Sequence, residues 1–128
     1  MRERRKQPRK NLSAYSQVFD LYGGSLLGYL ADLTSLGAMV IGEKTLEVGR
    51  EITLQFEVPE LEGVAIKKLT LPARVIWCQP DLSPEFQNIG FEFLKVDDEQ
   101  QKVIQAIMET YEFRREIPEY PFRAATKK

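Results

Sequence analysis

Residues 50–58 read Arg50-Glu51-Ile52-Thr53-Leu54-Gln55-Phe56-Glu57-Val58. Ile52, Leu54, Phe56 and Val58 fall on one side of an extended chain, and Glu51, Thr53, Gln55 and Glu57 on the other. Strict alternation of this kind marks an antiparallel strand with one buried face and one wet face. The same period returns at 67–78, with Leu69, Leu71, Ala73, Val75 and Trp77 on the apolar face and Thr70, Pro72, Arg74 and Ile76 opposite. Pro72 donates no ladder hydrogen bond, so this stretch is expected to be an edge strand or one with a bulge. Residues 88–95 give a further strand, with Ile89, Phe91 and Phe93 toward the core.

Working back from this block, residues 14–22 are aromatic and β-branched, which suits a strand. Gly23-Gly24 is a hairpin signal, and 25–33 reads as the returning strand. Asp32 to Gly37 interrupts the apolar run with small polar residues, and 38–41 forms a short strand. Gly42 to Gly49 is a connection holding the apolar pair Leu46 and Val48, and 59–63 and 80–84 are loops. Working forward, the period changes to that of a helix. Val103, Ile104, Ile107, Met108 and Tyr111 make one stripe. Asp97 and Gln100 have the spacing of a capping box, Arg114 and Arg115 fall in the last turn, and Pro118 and Pro121 stop the helix. About six short antiparallel strands closed by one C-terminal helix predict a small all-β barrel, which also removes the exposed edges of such short strands. The helix would plug or flank an open end.

The 128 residues suit one domain. The division expected is a flexible basic arm at 1–12, a barrel with its helix at 13–116 and a frayed tail at 117–128. No run of eighteen apolar residues is present and the N-terminus has no apolar signal region. A single cysteine, Cys78, fits a reducing compartment, so a cytoplasmic protein is expected. Histidine is absent, which removes the commonest general base, the Ser-His and Cys-His pairs and most zinc sites. An enzyme and a bound metal are both disfavoured. Glu99, Glu109 and Glu112 form a wet helix face rather than a catalytic carboxylate pair, and Cys78 reads as inert.

Charge is unevenly placed. Residues 1–10 hold Arg2, Arg4, Arg5, Lys6, Arg9 and Lys10 against Glu3 alone. With a net charge of -1 for the whole chain, the remaining residues carry -6. An acidic body with a basic arm is not the broad basic face of a duplex-DNA binder. It suits a protein that meets a small anion at one place. Pro8 keeps the arm extended, so Arg5 and Arg9 stand about 13 Å apart rather than the ~6 Å of a helix. Guanidinium groups bond bidentately to phosphate or to guanine O6 and N7, and stack on bases. The segment Asp32-Leu33-Thr34-Ser35-Leu36-Gly37 is complementary: a carboxylate accepts from the guanine N1–H and N2–H edge, a hydroxyl bonds a base or phosphate, and glycine permits positive φ or close approach.

Arg5-Lys6-Gln7-Pro8-Arg9 followed by Asp32-Leu33-Thr34-Ser35-Leu36-Gly37 resembles the RxxxR and [D/N]xSxxG motifs of PilZ domains, bacterial receptors for cyclic di-GMP. Val48 to Leu54, Ala73 to Trp77 and Ile89 to Phe93 also look like that family's later strands, so the resemblance covers roughly residues 3–113. It implies a cyclic di-GMP site at Arg5, Arg9, Asp32, Thr34 and Gly37, with an arm that folds over the ligand. Thr34 departs from the family's usual serine, and Ser35 is the alternative hydroxyl. Arg4, just before the first motif arginine, implies an intercalated ligand dimer. With no second domain attached, output would pass through another protein, in motility, adhesion, biofilm or exopolysaccharide control. Other readings stay open. The arm is also what a solubilising tail looks like, and Asp32 to Gly37 what a plain turn looks like. A ligand-independent PilZ-like interaction module, or a nucleic-acid-binding small barrel, would use the same features. Trp77 reads first as core and second as a base-stacking ring at the barrel rim. Gly90 marks either close ligand approach or a strand bend. Arg74 reads as a solvated charge.

Overall fold

The computed structural model describes residues 10–12 and 16–113. Arg4, Arg5 and Arg9, the tail at 117–128, and Arg114, Arg115, Pro118 and Pro121 lie outside the described residues. The elements are β1 (Lys10–Leu12), β2 (Gln17–Asp20), β3 (Ser25–Leu33), β4 (Gly37–Gly42), β5 (Glu51–Glu57), β6 (Lys68–Pro80), β7 (Gln87–Phe93), α1 (Asp98–Thr110) and β8 (Tyr111–Phe113). Six of them close an antiparallel barrel in the order β2-β3-β4-β7-β6-β5, with β2 pairing back onto β5. The all-β barrel with one C-terminal helix is the architecture that alternation predicts.

The alternation at 50–58 is used as written. Ile52, Leu54 and Phe56 are buried, facing Ala73, Leu71 and Leu69 of the neighbouring strand. Val18, Leu30, Val40, Ile89 and Phe91 complete the barrel interior. Phe93, expected in the core, is half-buried at its margin. Leu46 of the β4–β5 connection is buried, whereas its partner Val48 is exposed.

The capping box forms as its spacing predicts. Gln100 N–H donates to Asp97 Oδ1 at 2.7 Å, and Asp97 N–H donates to Gln100 Oε1 at 3.0 Å. Gln100 Nε2 also donates to Thr70 O at 2.9 Å, pinning the helix start to β6. Val103, Ile104 and Ile107 then seal the core. The helix ends earlier than its apolar stripe suggests. Tyr111 is extended (φ -120°, ψ 150°), and its hydroxyl donates to Glu60 O at 2.8 Å. Apolar spacing continues into Tyr111, but a tyrosine anchored to the β5–β6 loop pulls the chain out of the helix. It enters β8 instead, which pairs in parallel with β1. Lys10–Leu12, read from sequence as the end of the arm, is that partner strand.

The strand that holds Pro72 is not at an edge, and it does carry a bulge, though at Ile76 rather than at the proline. Pro72 lies inside β6, between β5 and β7, opposite Thr53. Ladder contacts with β7 begin only at Ala73, and Pro72 O accepts from Leu94 N–H at 2.8 Å just beyond them. Its missing N–H therefore falls where the β6–β7 ladder has already ended, which is why a barrel strand tolerates it. Arg74 also departs from expectation. It is not simply solvated: its guanidinium bonds Glu51 of β5 and Glu92 of β7, each at 3.2 Å.

Candidate functional site

Two β-bulges build the site. Leu30 faces Val40 and Asp32 faces Met39, so Ala31 is the extra residue of β3. Val75 faces Phe91 and Trp77 faces Gly90, so Ile76 is the extra residue of β6. A bulge reverses which face the following residues occupy. Met39 of β4 in turn pairs Gly90 of β7. The result is one row across four strands on the outer face: Asp32, Met39, Gly90, Trp77. Without the bulges, apolar Ala31 and Ile76 would take the places opposite Met39 and Gly90, and Asp32 and Trp77 would be off the row.

Trp77 is thus not in the core. The alternation at 67–75 breaks at Ile76, and the indole is carried outward to lie half-buried over Gly90. A Cβ on Gly90 would sit 2.3 Å from both Trp77 Cε2 and Nε1. The glycine is required here by the ring that occupies the space of a side chain.

The adjoining turn is made by Thr34. Its Oγ1 accepts from Leu36 N–H at 3.1 Å and Gly37 N–H at 3.2 Å, and its hydroxyl reaches Gly37 O at 3.4 Å. Thr34 N–H donates to the same carbonyl at 2.9 Å. The hydroxyl expected to meet a ligand is engaged in shaping the turn, as Thr hydroxyls do in such motifs. Gly37 follows at close quarters with β7, where a Cβ would run into Phe91 O at 2.1 Å. Of the two roles open to it, close approach is the one it has; it is not among the positive-φ glycines. Asp32 is half-buried, with Oδ1 accepting from Leu33 N–H at 3.0 Å.

These residues surround an open depression of about 540 Å³, lined among others by Asp32, Thr34, Gly37, Trp77 and Gly90. Ser35 does not line it. Leu36 and Ile76, both exposed, and Met39 supply apolar walls, and Glu92 supplies a second carboxylate. Sequence reasoning missed these four. Period-2 reading cannot see a bulge, and Glu92 is recognised only through its pairing with Gly37. The described lining contains two acids and no lysine or arginine. A separate depression of about 310 Å³, near Gly28, Tyr29 and Arg50, holds none of the expected site residues. Among the described residues no group of acidic, cysteine or histidine side chains is arranged to hold a metal ion, and no helix is long and apolar enough to cross a membrane.

No curated protein matches the chain by sequence. Among solved structures, it is similar to the inhibitor of motility MotI/DgrA of Bacillus subtilis, with a TM-score of 0.59 and 18% identity over 84% of this chain and 51% of that one. The chain therefore spans about half of that protein's length. It is also similar to the PilZ domain of YcgR from Escherichia coli, solved with c-di-GMP, with a TM-score of 0.56 and 19% identity over 98% of this chain and 99% of that one. At such identities the likeness is one of fold. The family profile described as PilZ domain matches residues 3–110, most of the sequence, and with the closed barrel, its terminal helix and the turn at Thr34 it places this chain in the PilZ domain family.

Proposed function

We propose that the protein is a non-catalytic receptor for cyclic di-GMP, which binds in the depression beside the Thr34 turn and is closed in by the N-terminal arm. The observation that carries this reading is a mismatch of charge. Among the described residues the depression is lined by the acids Asp32 and Glu92 and by no cation, yet ten residues at the N-terminus carry six basic side chains against one acid. A cyclic dinucleotide has both needs in one molecule. Its guanine edges donate N1–H and N2–H to carboxylates, and its phosphates require cations. The YcgR PilZ domain, similar to this chain over nearly its whole length, was solved with c-di-GMP.

On this reading Arg5 and Arg9 grip phosphate or the guanine O6/N7 edge, and Asp32 takes the opposite edge. Thr34 acts through the turn it holds rather than by direct contact, and Gly37 keeps the backbone close. Ser35 is then left with no direct part. Trp77 offers a ring face beside Gly90 for a base. Arg4 admits a second, intercalated ligand. Ordering of the arm changes the surface offered to a partner protein in the cytoplasm, which is how a receptor without catalysis passes on a signal.

Calorimetry of the full chain with cyclic di-GMP tests this. Binding is expected at or below tens of micromolar, roughly, and an Arg5→Ala/Arg9→Ala protein is expected to lose at least about tenfold in affinity, on the scale of one lost bidentate pair. Absence of binding by the parent protein at that concentration refutes the reading.

A further inference from the structure

Glu92 stands in the row next to Asp32–Met39–Gly90–Trp77. It faces Gly37 on β4 and Arg74 on β6. Arg74 Nη1 bonds Glu92 Oε2 at 3.2 Å, and Arg74 Nη2 bonds Glu51 Oε2 at 3.2 Å. The guanidinium is thus stretched between two carboxylates on neighbouring strands, and Glu92 is held from the side away from Gly37. Its other oxygen, Oε1, has no partner among the described residues, and the residue lines the depression. Arg74 itself does not line it.

The two carboxylates of the depression are Asp32 and Glu92. Two strand spacings and two residue rises separate them, about 12 Å at Cα. Asp32 Oδ1 accepts from Leu33 N–H, and Glu92 Oε2 accepts from Arg74. Cyclic di-GMP carries two guanines, each with an edge of adjacent N–H donors that a carboxylate matches. We propose that Glu92 is a second base-reading carboxylate, accepting from the N1–H and N2–H edge of the guanine that Asp32 does not take, and that Arg74 is its positioning residue. The proposal rests on the cyclic di-GMP reading of the depression and names a specificity determinant within it. It also gives the Glu51–Arg74–Glu92 ladder a task besides strand pairing, to which exposed ion pairs contribute little.

Discrimination between cyclic di-GMP and cyclic di-inosine monophosphate isolates the role. The inosine analogue lacks only the 2-amino donors, so its affinity relative to cyclic di-GMP reads the contacts to that edge. Calorimetry with both ligands is made on the parent, Glu92→Gln and Arg74→Gln proteins, with thermal melts to establish that each is folded. Glu92→Gln is expected to weaken cyclic di-GMP binding about tenfold and to shrink the guanine-over-inosine preference, because a bidentate acceptor becomes half donor. Arg74→Gln, which leaves the carboxylate but unpins it, is expected to cost less, on the order of two- to threefold, and to lower the preference part-way. A purely structural role for the ladder would lower the melting temperature and leave the preference unchanged; that outcome overturns the proposal. Unchanged affinity in Glu92→Gln with binding lost in Asp32→Asn also overturns it while leaving the cyclic di-GMP reading intact. Failure of the parent protein to bind cyclic di-GMP instead refutes that underlying reading. Should Glu92→Gln not fold, Glu92→Asp serves, with the same shrinkage of preference expected from a carboxylate one methylene short.

Discussion

Substituting Gly90 with alanine places a methyl group where the indole of Trp77 now lies. The new Cβ would be 2.3 Å from Cε2 and Nε1 and 2.8 Å from Cδ2, against an ordinary contact of 3.4–4 Å. The ring must retreat by about 1 Å or swing off the strand, and these atoms are the middle of a rigid bicycle, not the tip of a flexible chain. Overpacking of this kind costs roughly 1–3 kcal/mol. Alanine recovers roughly 0.5–1 kcal/mol of the entropy that a strand glycine forfeits. The net expectation is a loss of about 1–2 kcal/mol with the barrel intact. Trp77 is the only tryptophan, so its emission reports the ring's environment directly. In Gly90→Ala the emission maximum should move to longer wavelength in the native state, and the urea midpoint should fall at unchanged slope. If both the emission and the midpoint match those of the parent, Trp77 does not rest on Gly90 and the two-bulge register that brings them together is wrong.

Thr34→Val keeps the shape and removes the hydroxyl that accepts from Leu36 and Gly37 N–H; a loss of about 1–2 kcal/mol and faster amide exchange at Gly37 are expected, with Thr34→Ser near neutral in urea melts. Asp97→Ala removes the N-cap of α1 and the reciprocal bond from Gln100, so about 1 kcal/mol and roughly a 4 °C lower melting temperature should follow by calorimetry.

The barrel was readable because its strands obey period 2 wherever the ladder is regular. Residues 51–57 and 68–75 alternate without a break, and their buried members are those the alternation names. The helix start was readable because Asp97 and Gln100 satisfy each other locally, within four residues. What escaped was whatever depends on a partner distant in sequence. The extra residues Ala31 and Ile76 look like any others, since a bulge exists only relative to the neighbouring strand. Trp77 was therefore assigned to the wrong face by an alternation that holds up to Val75 and fails one residue later. The pairing of β1 with β8 joins three-residue segments about a hundred positions apart, too short to show a period. Tyr111 kept the helical spacing while its hydroxyl answered to Glu60. Thr34 was singled out for its hydroxyl, whose task in the turn follows from backbone positions that motif spacing alone does not reveal.

The placement of the bulges has a consequence for how the proposed ligand would be recognised. Each bulge delivers one non-aliphatic side chain to the outer row, Asp32 at one end and Trp77 at the other, with Met39 and Gly90 between. The barrel thus offers acceptors, an aromatic face and apolar walls, which are the means of reading a base and not of neutralising a phosphate. Among the described residues no lysine or arginine lines the depression, and of its two carboxylates Glu92 is paired with Arg74 from outside it. The basic residues at 1–10 lie on the same chain and lead into β1, whose pairing with β8 fixes where the segment is tethered. In the proposed complex, base recognition and phosphate neutralisation are supplied by different parts of the chain. On the proposed reading, this division is what makes the ligand a signal. A site complete within the barrel would bind without rearranging anything, whereas one that needs the basic segment must draw that segment toward the row between Asp32 and Trp77. The binding energy supplied by the arginines is therefore also the energy that changes the surface a partner meets.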